Sequence, residues 1–193
     1  GLQADSTSEA SDSAVVAKST GAVQVLSAGS IARSRISVAR CRFDVASAAE
    51  VVIVSLSAVA SGEMDVSDSE VTVTGAAGQG TVFSVATATG FLTGSTTTYT
   101  PFAINATVTV RNATVSVQRG TGAACVAAVT VGSAALTRSS VTATNVSVTV
   151  AAAGNVDVLS LRSTSAAAEG VGLVAEAAEV RVESSGVVFV ASV

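Results

Sequence analysis

Glu63, Asp65, Asp68 and Glu70 place four carboxylates within eight residues, the densest potential chemistry in the chain. Hard cations such as Ca²⁺ take several carboxylate oxygens at once, so calcium binding is one reading of this cluster. The other reading gives the acids cationic neighbours. Adding 28 to Arg35, Arg40 and Arg42 lands on Glu63, Asp68 and Glu70, three opposite-sign matches at one offset. The expectation is a register ladder of ion pairs, Arg35–Glu63, Arg40–Asp68 and Arg42–Glu70, in which three of the four acids already face an arginine. No metal site and no cofactor is expected, since the chain holds no His and only two Cys.

Catalysis has little to work with. The commonest general base is missing with His, and no nucleophile-elbow, Walker or dinucleotide-glycine pattern occurs. The acids outside the cluster, Asp157, Glu169, Glu176, Glu179 and Glu183, face no basic groove that the sequence reveals. The chain is not expected to be an enzyme.

Other chemistry lies on the exterior. Asn105-Ala-Thr107, Asn112-Ala-Thr114 and Asn145-Val-Ser147 are N-glycosylation sequons, and glycans demand solvent-facing side chains. The run from Thr93 to Pro101 resembles an O-glycosylated stretch. Phe91, Tyr99 and Phe102, half of the six aromatic residues, gather in one segment and form a candidate contact loop, or else fold back over the scaffold.

A repeated phrase positions these residues. An apolar-x-apolar pair, a polar break, a small residue and x-apolar-x-apolar recur from Ile36, Met64, Val108, Val141 and Val180. A second phrase, apolar-apolar-small-apolar, keeps step from Val25, Ile53, Val82, Val126 and Val158. The period is two within each half of the first phrase, but its phase shifts at the break, so the chain must turn a corner there to keep its apolar side inward. One unit then holds about three short strands, and units stacked at about 4.8 Å enclose an apolar column. The expected fold is an all-β parallel solenoid of about five coils, right-handed by the usual crossover rule. A β-sandwich is the alternative, although a sandwich has no need of an in-register repeat. Aromatics at 3 % of the chain suit a narrow interior.

The expected organisation is a polar N-terminal tail or cap over residues 1–20 and one solenoid domain over 21–193, with an insertion at about 87–104. Cys41 and Cys125 fall two coils apart, too far for a disulfide, and read as buried thiols. A net charge of −4 argues against nucleic acid as a partner. The uncharged stretch Val71–Val110 is interrupted by Gly, Ser and Thr throughout, so no membrane span is expected. The segment from Val187 to Val193 is an apolar run with no polar cap, and an open solenoid end recruits further strands. Self-association head to tail, as a homo-oligomer or fibril, is the expected partnership.

Val108-Thr-Val-Arg-Asn-Ala-Thr-Val-Ser-Val117 and Val141-Thr-Ala-Thr-Asn-Val-Ser-Val-Thr-Val150 resemble repeats of large β-helical surface glycoproteins such as the dispersed gene family of trypanosomes. That resemblance implies a cell-surface location and an adhesive or coat-forming role, and it carries over no functional residue. The expected function is an extracellular structural glycoprotein, a coat or filament subunit. An adhesion module is the alternative. Ice binding through Thr107, Thr109, Thr114 and Thr142, or action on polysaccharides, ranks below both.

Overall fold

The computed structural model describes residues 5–30, 33–58, 61–87, 90–91, 98–99, 103–131, 135–163 and 168–192. Every regular element among them is a strand. Each turn of the chain lays strand on three faces. The first face stacks Asp5–Ser11, Arg33–Ala39, Ser61–Ser67, the leading parts of Ala103–Arg119 and Ser140–Ala152, and Gly172–Glu176. The second stacks Ala14–Ser19, Arg42–Ser47, Glu70–Gly75, the trailing parts of the same two long strands, and Glu179–Ser184. The third stacks Val23–Ser30, Val51–Ala58, Gly80–Thr87, Ala124–Val131, Val156–Ser163 and Val188–Ser192. All of these pairings are parallel and join successive turns, which makes the fold a parallel β-solenoid and excludes the sandwich.

Period-two alternation fills the interior with columns of like residues. Ile36, Met64, Val108 and Val141 stand in one column, and Phe43, Val71, Val115 and Val148 in another, all buried. On the third face the ladder skips Val25, Ile53, Val82, Val126 and Val158. At that break two consecutive residues turn inward, as buried Ile53 and Val54 do, which accounts for the doubled apolar residue of the second phrase.

Two expectations need correction. Residues 5–19 are not a tail: Asp5–Ser11 and Ala14–Ser19 pair in parallel with Arg33–Ala39 and Arg42–Ser47, and so wind a further rung beneath the expected coils. Ala10, Val15 and Ala17 of this stretch pack against the core, while Ser8 takes the inward place that Ile36 holds in the next rung. The last phrase is also out of register. Val141 aligns with Leu173, not Val180, which instead lies beside Val148. The phrase starting at Val180 straddles the next corner of the coil, where the apolar phase shifts in the same manner.

The long spacing between Val82 and Val126 contains an excursion after Thr87, and third-coil pairing resumes with Asn105 beside Ser61. Within the excursion, Gly90–Phe91 and Thr98–Tyr99 pair as a short antiparallel ribbon, unlike the parallel solenoid. Phe102 lies outside the described residues. Both cysteines are free and buried, and burial, with Asp157 nearby, pushes the Cys125 thiol up to about 12. No described helix is long and apolar enough to cross a membrane.

Candidate functional site

The polar break of the first phrase is one stacked corner. Asp12, Arg40, Asp68, Asn112, Asn145 and Ala177 occupy it, each with positive φ between 49° and 53°. Among non-glycine residues Asp and Asn adopt this conformation most readily, and they fill four of the six places. Backbone geometry therefore selects Asn112 and Asn145 before any question of glycans arises. The N–H groups of Asp12, Arg40 and Asp68 each donate to a carbonyl of the next coil, at 3.1, 3.0 and 3.0 Å, which locks the corner between rungs.

The side chains form their own ladder. Arg40 donates through Nε and Nη2 to both carboxylate oxygens of Asp12, at 2.6 and 2.7 Å. Asn112 Nδ2 donates to Asp68 Oδ1 at 3.0 Å, and Asn145 Nδ2 to Asn112 Oδ1 at 2.9 Å. The expected Arg40–Asp68 ion pair is thus replaced by Arg40–Asp12. Arg40 stands one rung from each acid, and Asp68 has Asn112 as its donor. Asp12 lies at the corner between two strands of the polar first rung, where the sequence shows no apolar alternation to place it. The fork holds the Asp12 carboxyl below its ordinary value and raises that of Arg40, to which nearby Asp68 also contributes.

The other two rungs of the ladder are in place. Arg35 lies 3.6 Å from Glu63 and Arg42 lies 3.5 Å from Glu70. Asp65, which the offset left unmatched, is reached diagonally by Arg111 Nη2 at 2.8 Å. The four acids of the cluster therefore turn to four different partners. Half-exposed pairs such as Arg35–Glu63 contribute only about 0–1 kcal/mol, so they fix register more than they add stability.

Of the sequon asparagines, Asn105 is exposed on the first face beside Ser61, away from the corner that unites Asn112 and Asn145. The backbones of Phe91 and Tyr99 share the antiparallel ribbon, with Gly90 opposite Tyr99 and Phe91 opposite Thr98.

Two features escaped the sequence reading. Arg119 occupies an inward column otherwise made of Ser19, Ser47, Gly75, Ala152 and Ser184 and is only 3 % exposed. Its guanidinium donates to the carbonyls of Ser47 at 3.1 Å, Thr74 at 3.4 Å and Gly78 at 3.3 Å, and closely to those of Ala49 and Ala77. It staples three coils without a carboxylate, and desolvation lowers its pKa. Gly75 makes room, since a Cβ there would collide with Ser47 O and Arg119 Nη1. The signal was present: in Val115-Ser-Val117-Gln-Arg119 the arginine falls on the inward phase. Gly78, Gly122, Gly154 and Gly186 form the second feature, each two residues before a third-face strand and each with its α-carbon against the backbone of the preceding rung.

An open groove of about 500 Å³ runs beside Arg119 along Thr74, Gln118, Glu183 and Ser184. A smaller one follows the corner at Asn112, Thr114, Asn145 and Glu179. Comparison with protein-family models, curated proteins and solved structures finds no match to this chain. The fold class, a parallel β-solenoid with an Asp/Arg/Asn corner ladder, is what its own residues define.

Proposed function

We propose that the chain is a structural unit of an extracellular or cell-surface assembly, a coat or filament built by end-to-end continuation of the solenoid, without a catalytic centre. One observation carries this reading. The outermost strands at both ends are bonded on one side only among the described residues, and both leave interior columns open. Val15, Ala17, Val23, Val25 and Leu26 are only partly covered at one end, as are Leu173, Val180 and Val182 at the other. Val187, Val188, Phe189 and Val190 are exposed. Unpaired parallel edges over apolar columns are strong templates for further strands.

Glycans belong to the same reading, carried at exposed Asn105 and at the corner. Asn112 and Asn145 stand one rung apart, about 4.8 Å, and their amides already bond each other, so the corner accommodates one glycan, not two. The sequence likeness to trypanosome surface repeats points in the same direction. Electron microscopy of native material, with glycopeptide mass spectrometry on the same sample, tests the proposal. Rods longer than one chain and glycan-modified asparagine are expected; uniform monomeric particles with all three asparagines bare would sink it.

A further inference from the structure

Extending the observed columns by one rung specifies how two copies meet. The column Val15, Phe43, Val71, Val115, Val148, Val180 runs the length of the second face. Val23, Val51, Gly80, Ala124, Val156 and Val188 do the same on the third. A second copy laid on the last rung in the same phase brings its Val15 beside Val180, its Ala17 beside Val182 and its Val23 beside Val188. Apolar residues then meet apolar residues on both faces.

The outward column through Lys18, Ala46, Thr74, Gln118, Ala151 and Glu183 gives the charge test. Its two ends carry opposite charges, and neither Lys18 nor Glu183 makes an ion pair among the described residues. The same phase sets Glu176 and Glu179 around Asp12 of the next copy. Two of those three acids are already compensated, Asp12 by Arg40 at 2.6 Å and Glu179 by Arg181 at 2.6 Å.

We infer that the occupant of the open last rung is the first rung of a second copy of this chain, docked in parallel and in register, with Lys18 of that copy paired to Glu183. The join is heterologous and polar, so it propagates instead of closing on itself. It rests on the end-to-end reading above and adds to it the phase, the polarity and the charge pair.

Paired cysteines test the join. Lys18→Cys with Glu183→Cys puts one thiol at each end of the chain, five rungs or about 24 Å apart, too far to close within a molecule. In the docked phase the two come within about 4.8 Å between copies, inside the range of a disulfide. Native Cys41 and Cys125 are buried and stay out of the exchange. Mild oxidation is expected to yield a ladder of covalent multimers, and Thr7→Cys with Glu183→Cys, which lie on different faces, is expected to yield none. Charge reversal gives a second measure. Lys18→Glu weakens association in sedimentation roughly tenfold, through one lost attraction and one new repulsion, and adding Glu183→Lys restores it.

If the unsubstituted protein associates but the Thr7 pair links and the Lys18 pair does not, the register is overturned and end-to-end assembly survives. If it sediments as a monomer at every concentration, both fall.

Discussion

Replacing Arg119 with methionine is expected to lower the unfolding free energy by about 2–4 kcal/mol, read from the urea midpoint at unchanged slope. Methionine keeps the apolar stem, so the loss isolates the guanidinium. Two effects oppose each other. Removing a buried cation relieves its desolvation, which alone can be neutral or favourable. The carbonyls of Ser47, Thr74, Ala49, Ala77 and Gly78, however, belong to the backbone and stay behind without their donor. Ala77 and Gly78 are exposed and their carbonyls can take up water, but Ser47 is buried and Thr74 and Ala49 half-buried, and an acceptor left unsatisfied there costs about 1–3 kcal/mol, so the loss dominates. Arg119→Lys, with three donors for five acceptors, falls between methionine and the parent. A methionine variant within 0.5 kcal/mol of the parent would remove the staple from the account.

The glycine corner gives the second large effect. A Cβ on Gly122 would overlap Gly78 O, a backbone atom that no side-chain rotation can clear. Hydrogen bonds from Gly120 N to Gly75 O at 3.0 Å, Thr121 N to Ala76 O at 2.9 Å and Gly154 N to Gly122 O at 3.0 Å hold the rungs on both sides. Gly122→Ala therefore has to spread two coils and is expected to cost about 3 kcal/mol or more, with loss of soluble protein as the extreme. Gly172 provides the matched control. Nothing lies within 4 Å of a Cβ built there, so Gly172→Ala stays within about 0.5 kcal/mol. Equal effects from the two substitutions would show that the rungs do not press together at that corner.

Much of this fold is written in the sequence because a parallel stack repeats the same steric demands in every coil. Ile36, Met64, Val108 and Val141 were legible as one column since each must point inward at the same place. Opposite charges at Arg35 and Glu63 confirmed the phase independently of the apolar residues. The misplaced last repeat has a physical origin: the corners at the two ends of the second face shift the apolar phase in one way, so a pattern of apolar residues does not distinguish them. The first rung was hidden for another reason. As an edge it places Ser8 and Ser13 where inner coils carry Ile36 and Cys41, which erases the alternation.

The corner ladder was only half legible. Oppositely charged residues at a fixed offset predict neighbours, but an arginine midway between Asp12 and Asp68 has two neighbours, and only coordinates show which one it takes. Asn112 and Asn145 were read for their sequons, whereas their backbone angles explain their presence without any glycan. Arg119 and the glycine column were readable in principle, through an arginine on the inward phase and a glycine two residues before each later third-face strand. The arginine stands out once the period of the second face is followed past Val117, whereas the glycine signal emerges only after the third face has been placed.

The in-register parallel stack underlies every other claim, and a disulfide between neighbouring rungs measures it directly. Thr72 and Ser116 are register partners on the second face, and Thr149 lies beside Ser116 one rung further on. Thr72→Cys with Ser116→Cys is expected to oxidise to a disulfide within the monomer, at a strand separation of about 4.8 Å, while Thr72→Cys with Thr149→Cys, about 9.6 Å apart, stays reduced. A bond in the second pair and none in the first would contradict the winding of this chain.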